Sequence, residues 1–545
     1  MIPDLLRGGV VMVASLATTL TRQDNNMTTK SKGMTKGLII LIGFLFTYSI
    51  GVWAASGDLD AGFGTGGTVV TALSPGKEDS IKALVIQPDG KLVAAGRAYD
   101  ANTGLNKFAL VRYQPDGAVD TAFGTNGTVT TAIGGLSSTA YALLRQTDGK
   151  LVAAGIANGF SLARYHANGA LDVTFGTGGT VTTPIDTAAG VQSLVQQADG
   201  KLVAAGWTSS SSTRDVALVR YNSDGSIDTT FGTNGVVVTV ISSTFGDQAN
   251  AVVQQDDGKL VIAGSVCVYT QILCGQSDFV LIRYLADGAL DTGFGAGGKV
   301  IASVSNTINA SAGDIANALV LQHDGKLVAA GKAYPGQVAI AMMRFNTNGA
   351  LDSSFGTGGI VTNVITSAGS SGNALAISPN GRLIVAGHSN NGTDQDFTVA
   401  RYLDTGVLDT TFGTGGMRST AIRSSNDQIA AIALQPDGKI VAAGHSNDGS
   451  TTSASGNDFA LARYLDGDGD TDGVSDSVDA FPLDPAETLD TDHDGIGNNA
   501  DPDDDNDGFP DNIDLNPLDP AINDYHFSLE GTYKGSTVSD HQGVQ

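Results

Sequence analysis

Three short phrases recur seven times each, always in the same order, along a chain of 545 residues. The phrase DGKLVAAG, or a close variant, begins at Asp89, Asp148, Asp199, Asp257, Asp324, Asn380 and Asp437. A phrase of the form FALVRY ends at Tyr113, Tyr165, Tyr221, Tyr284, Phe345, Tyr402 and Tyr464. The third, of the form LDxxFGTxGxV, carries Phe63, Phe123, Phe175, Phe231, Phe294, Phe355 and Phe412. Self-similarity of this kind restricts a chain to arrays in which one supersecondary unit packs on copies of itself.

Successive phenylalanines of the third phrase are 52 to 63 residues apart. That unit is too long for a one-strand solenoid coil and matches a four-stranded blade with loops of variable length. Within a unit, ALVIQ and KLVAAG flank Pro88-Asp89-Gly90, two β-prone runs around a turn in which glycine supplies the positive φ of a hairpin. FALVRY supplies a third strand and GTVVT a fourth. With 72 glycines, 14 prolines and 41% hydrophobic residues, the composition suits many short strands joined by glycine turns.

The ends of the array sharpen the expectation. A fourth-type strand near Thr68–Thr71 precedes any complete unit, and the last three-strand set ends at Tyr464 with no such run behind it. Lending the N-terminal strand to the last blade would close a ring and remove exposed sheet edges. The predicted fold is all-β: a seven-bladed β-propeller over residues 58–465, closed by its N-terminal strand and followed by an irregular Asp-rich stalk. An open seven-repeat solenoid is the alternative.

Residues present in every unit point to structure. The repeated phenylalanine is expected to plug the gap between adjacent sheets. The arginine of each FALVRY phrase (Arg112 to Arg463) and the aspartate of each LDxxFG phrase (Asp60 to Asp409) are expected to tie a loop once per blade. Function in such a ring needs asymmetry, so the position after each LVAAG phrase is informative: Arg97, Ile156, Trp207, Ser265, Lys332, His388 and His445. Of these, Arg97, Trp207, Lys332, His388 and His445 form a candidate ligand face at one end of the channel. The alternative is that they are unrelated loop residues.

The phrases PDGKLVAAG, FALVRY and LDTTFGTGG resemble the bacterial delta-60 repeat and, more distantly, the NHL-type propeller repeat, over about residues 58 to 465. The resemblance implies an architecture rather than an activity.

After Tyr464 the text changes to LDGDGDTDGVSDSVDAFPLDP. Residues 466–524 hold 20 of the 56 acidic residues and no lysine or arginine, which accounts for most of the net charge of −26. Three segments align as D-x-D-x-D-G-x-x-[DN]-x-x-D. The first uses Asp468, Asp470, Asp472, Asp476 and Asp479. The second uses Asp490, Asp492, Asp494, Asn498 and Asp501, and the third Asp503, Asp505, Asp507, Asp511 and Asp514. Calcium takes six to eight hard oxygen ligands, and carboxylates alternating around a glycine turn can surround one Ca2+ ion, as in the first half of an EF-hand loop. A solvating acidic tail is the bland alternative. Prolines 482, 485, 502, 510, 517 and 520 exclude EF-hand helices on the flanks. The pattern resembles thrombospondin type 3 repeats, which implies calcium binding and, at family level, extracellular adhesion; Asp rather than Glu closes each loop.

Lys30, Lys32 and Lys36 precede an apolar run from Gly37 to Trp53 and the small residues Ala54 and Ala55, the order of a secretory signal peptide. Residues 1–55 are therefore read as a leader, with Met34 or Met27 as alternative starts and an uncleaved anchor as the alternative. Cys267 and Cys274, the only cysteines, either close a small loop in an oxidising compartment or remain free thiols. Residues 525–545 form a tail with no apolar membrane segment or evident sorting signal.

No clustered basic surface for nucleic acid or anionic lipid is present, and no GxSxG, HExxH or phosphate-cradling motif appears. The expected protein is a monomeric, secreted or cell-surface, calcium-binding interaction or adhesion protein, and not an enzyme. Its expected partner is a protein or glycan at the cell surface, with periplasmic residence as a variant. A secreted propeller lyase or hydrolase acting on surface polysaccharide is the alternative.

Overall fold

The computed structural model describes residues 55–520, apart from 211–212, 243–245, 268–276, 305–312, 450–455, 468–473, 476–477, 482–483, 485, 495 and 515. The leader, the C-terminal tail and four of the five oxygen donors of the first aspartate loop lie outside the described residues. Among those described there are 28 strands, β1 to β28, and no helix. Among the described residues, therefore, no helix is long and apolar enough to cross a membrane.

In blade one, β2 (Ser80–Ile86), β3 (Leu92–Asp100), β4 (Leu105–Tyr113) and β5 (Thr128–Thr131) follow one another outward as an antiparallel sheet. Between β2 and β3, the Gln87 N–H donates to the Lys91 carbonyl and the Gly90 N–H to that of Gln87, with Gly90 at φ 76°. This is the turn that the repeated Asp-Gly demands. Five further sheets repeat the order. The seventh takes β26 (Asp427–Leu434), β27 (Ile440–Asn447) and β28 (Asn457–Tyr464), then β1 (Thr68–Thr71) as its outer strand. Thr68 stands opposite Ala462 and Thr71 opposite Phe459, so the ring closes as the spare and missing strands require. The first strands of successive blades lie side by side around the axis, with β2 against β26 completing the circle.

The core is divided into seven apolar clusters, one between each pair of successive blades, and each holds one phenylalanine of the third phrase, 0% exposed. Phe63 packs among Leu92, Ala94 and Val111 of blade one and Val441, Phe459 and Leu461 of blade seven. Burying such a ring contributes roughly 2 to 3 kcal/mol.

The repeated arginine touches three things. Within blade one, Arg112 Nε donates to Asp120 Oδ2 at 2.8 Å, its guanidinium lies 4.8 Å from the Phe123 ring centroid, and Nη1 donates to the Ala167 carbonyl of blade two at 2.6 Å. The same three contacts recur at Arg220 with Asp228, Phe231 and the Ala286 carbonyl. One side chain thus braces its own blade and ties it to the next, and its presence in every unit is structural.

A recurring brace not marked by any phrase precedes several first strands. Asp79 Oδ2 accepts the N–H groups of Leu73 (2.9 Å) and Ser74 (2.6 Å), and Asp247 Oδ2 those of Ile241 (2.9 Å) and Ser242 (2.7 Å). Burial pushes the Asp247 carboxyl up to about 6 against the hydrogen bonds it accepts.

Cys267, at the end of its strand, is 2% exposed and disulfide-bonded. Cys274 lies outside the described residues.

After Tyr464 the described residues form no named strand. The expected stalk rests, where it is described, on the hairpin-turn end of the ring. Ser475 Oγ donates to the Asp437 carbonyl at 3.0 Å and Asn380 Nδ2 to the Asp479 carbonyl at 3.0 Å, and the His493 ring stands 5.3 Å from that of His323.

Candidate functional site

In blade one, the pairing of the first and second strands skips a residue between Ile81 and Ala83. The same β-bulge occurs in all seven blades, and the skipped residues are Lys82, Tyr141, Gln192, Asn250, Asn317, Asn373 and Ala430. A bulge re-aims the extra side chain, and here it turns one residue per blade into the axial channel. These seven, with Gln428, Ile429 and His445, line a cavity of about 290 Å³.

The glycine of LVAAG makes the bulge possible. A Cβ on Gly96 would stand 1.9 Å from the Ser80 carbonyl oxygen, and one on Gly444 would stand 1.9 Å from that of Gln428. The small residues of this phrase therefore do not mark the strand nearest the axis. They belong to the second strand, where the Ser80 carbonyl, just before the bulge, approaches Gly96 too closely for any side chain. An unvarying glycine inside a strand pattern is the signal that could have located the channel residues.

The bulge residues divide into two sets. Asn250, Asn317 and Asn373 each donate Nδ2 to the inner strand of the next blade, to the carbonyls of Ala316, Gly372 and Ile429, at 2.8 Å in every case. Blades four to seven are stitched by these amides. Lys82, Tyr141 and Gln192, at the same position of blades one to three, make no side-chain hydrogen bond or ion pair among the described residues, and Ala430 of blade seven leaves space.

The residues after LVAAG stand opposite the start of each first strand: Arg97 faces Ser80, Lys332 faces Ile315, His388 faces Ser371 and His445 faces Gln428. His445 lines the cavity. Burial pushes its imidazole down to about 4, helped by the charges of Lys82 and Arg97. Burial likewise holds His388 at about 4, with Lys332 adding to the effect. The Nδ1 atoms of both are buried without a hydrogen-bond partner. Arg97 pairs with Glu78 at 2.5 Å. Trp207 does not join them. It is 9% exposed, 4.0 Å from the Arg214 guanidinium, and lines a separate groove with Ile156 and Pro184. A broad apolar indole is better buried against an aliphatic side chain and a stacked cation than left in a polar channel.

The second site is the aspartate ladder. Asp490, Asp492 and Asp494 bring one carboxylate oxygen each within 4.8 Å of one another, and so do Asp503, Asp505 and Asp507. The ninth loop residue is a clamp in both: Asn498 Oδ1 accepts the Thr491 N–H at 3.0 Å and Asp511 Oδ1 accepts that of Asp504 at 2.9 Å. Asp501 caps the start of the third loop by accepting the Asp503 N–H at 3.0 Å. Asp505 and Asp514 are each 5% exposed, and Asp479 is 1% exposed. Oxygens of Asp503, Asp505, Asp507 and Asp514 are buried with no hydrogen-bond partner. Burial raises the Asp505 carboxyl, and Asp507, Asp514 and Asp503 push it the same way. Ionised carboxylates at such separations repel one another. An all-oxygen donor set of this density fits a hard divalent cation. Asp468, Asp470, Asp472 and Asp476 of the first loop lie outside the described residues.

Seven segments, 87–123, 146–175, 197–231, 255–294, 322–355, 378–412 and 435–473, match the family model described as "Domain of unknown function (DUF5122) beta-propeller". No curated protein matches the chain. Among solved structures, a polysaccharide lyase of the PL25 ulvan lyase family is 11% identical, covering 76% of this chain and 95% of its own, with a TM-score of 0.41. Sqt1 from Chaetomium thermophilum is 13% identical over 73% and 90%, with a TM-score of 0.38. A gluconolactonase from Xanthomonas campestris is 12% identical over 72% and 100%, with a TM-score of 0.32. Likenesses this distant carry no weight for function. The seven family matches and the closed ring of seven sheets make this chain a β-propeller repeat protein.

Proposed function

We propose that this is an exported, calcium-binding interaction protein, in which the propeller presents a binding surface and calcium holds the Asp-rich segment in one conformation at the hairpin-turn end of the ring. The observation that carries the reading is the repeated carboxylate triad, whose second copy, Asp503, Asp505 and Asp507, holds buried oxygens with no hydrogen-bond partner. Without a cation each triad is a cluster of like charges; with Ca2+ the same oxygens become a coordination shell. Resemblance to thrombospondin type 3 repeats and the leader-like N-terminal sequence support a secreted or cell-surface setting with a protein or glycan partner. Calorimetric titration of the chelator-stripped full chain should show calcium binding in the range typical of extracellular modules, roughly 10⁻⁴ to 10⁻³ M. Absence of heat and of any calcium-dependent rise in melting temperature would remove the reading.

The enzyme alternative draws on one observation, that Lys82, Tyr141 and His445 put three groups able to exchange protons around one cavity. Release of new chain ends from an anionic polysaccharide would favour it, provided that His445→Gln abolished the release.

A further inference from the structure

The axial cavity combines three features whose coincidence calls for a ligand. It is lined on one side by Lys82, Tyr141 and Gln192, whose polar ends are not used by the protein among the described residues. The bulge position of blades four to six is occupied by amides that are used, so the open half is not a general property of the repeat. Its lining contains a lysine and no carboxylate, in a chain of net charge −26.

Lys82 is only partly exposed and no carboxylate among the described residues lies within ion-pair distance of it. The nearest acid that bears on it, Glu78, is already paired with Arg97. Burial and the positive charge of Arg97 both disfavour its ammonium form. An ammonium held this way is costly unless an anion arrives. Around it, the Gln192 amide offers both donor and acceptor, the Tyr141 hydroxyl does the same, and the His445 imidazole is neutral near pH 7 and offers one of each. Such a rim suits hydroxyl groups, which are donors and acceptors at once. The volume accommodates one small molecule.

We propose that the axial cavity binds a small hydroxylated carboxylate, a sugar acid, with its carboxylate on Lys82 and its hydroxyls on Tyr141, Gln192 and His445. The bulges and post-LVAAG residues lie at the end of the first strands away from the Asp-Gly hairpins, whereas the aspartate ladder rests on the hairpin end. The site is therefore independent of calcium and does not rest on the calcium reading.

The test is calorimetry and ligand-detected NMR on the full chain, in calcium and again in EDTA, with glucuronate, glucose, acetate and sulfate as probes. Glucuronate and glucose differ only in the carboxylate; acetate and sulfate carry charge without hydroxyls. Glucuronate should bind at least about tenfold more tightly than the other three, equally in both buffers. Lys82→Met should weaken it by about tenfold or more and Gln192→Ala by several-fold, with melting temperatures close to that of the native chain. Glucose matching glucuronate would overturn the proposal, as would an undiminished Lys82→Met variant or no binding in the millimolar range. Acetate or sulfate equalling glucuronate would show a bare anion site and overturn the sugar-acid assignment. Binding lost in EDTA would contradict its independence from calcium while leaving the calcium reading intact.

Discussion

Arg463 and Asp60 are 403 residues apart in sequence and form an ion pair, Nη2 to Oδ2 at 2.9 Å and Nε to Oδ2 at 3.0 Å. The other six blades make the equivalent pair between residues eight positions apart. The pair at the seam therefore joins the first residues of the propeller to its last strand.

Asp60→Ala should destabilise the ring by about 3 kcal/mol, because it leaves a largely buried guanidinium facing the Phe63 ring without its carboxylate. Asp120→Ala should cost a similar amount in blade one. Urea unfolding curves check both, and at the seam the loss should be accompanied by faster proteolysis of the N-terminal strand, which the blade-one variant should not show.

Gly96→Ala should cost about 3 kcal/mol. Its Cβ would meet the Ser80 carbonyl at 1.9 Å, so either β2 moves or the bulge is lost. Because Lys82 owes its orientation to that bulge, the variant should also weaken any ligand held in the channel. A melting curve reads the first effect and a binding titration the second.

His388 and His445 should make stability fall with acidification. Their folded-state values, near 4, lie below the ordinary value of 6.5, so the unfolded chain binds more protons between those limits. The contribution is fully present above pH 6.5 and is lost as pH falls toward 4, by at most about 3 kcal/mol for each imidazole. The double variant His388→Gln with His445→Gln should flatten the stability profile in that window while leaving the profile above pH 7 unchanged in slope.

Asp492→Ala and Asp505→Ala should each remove one calcium site and leave the other, since the two residues belong to separate triads. Calcium at 100 times its dissociation constant stabilises a singly binding protein by about 2.7 kcal/mol. The calcium-dependent shift in melting temperature should shrink in either variant and shrink further in the pair, to what the first loop contributes. Magnesium should substitute poorly, because it demands shorter bonds and a strict octahedron.

The outline of the fold was legible because blade number, hairpin positions and the closing strand follow from periodicity and turn chemistry, which are local. Asp89-Gly90 makes a turn wherever it stands, and a strand spare at Thr68 and missing after Tyr464 admits few solutions. The oxygen ladder was likewise written in spacing, and the structure adds which positions converge: the first, third and fifth of a loop, with Asn498 and Asp511 acting as clamps. The candidate ligand face was legible only in part. The phrase after LVAAG led to His445 and its neighbours but also to Trp207, which faces elsewhere, and it missed Lys82, Tyr141 and Gln192.

Sequence by itself determined a ring of seven blades with a carboxylate ladder behind it. Only the tertiary structure decided what lines the axis, because that wall takes one residue from each of seven strands distant in sequence and aims each by a bulge. Whether a polar residue there serves the ring, as Asn250, Asn317 and Asn373 do, or is left open, as Lys82 is, depends on the carbonyl of the neighbouring blade, which no local pattern encodes.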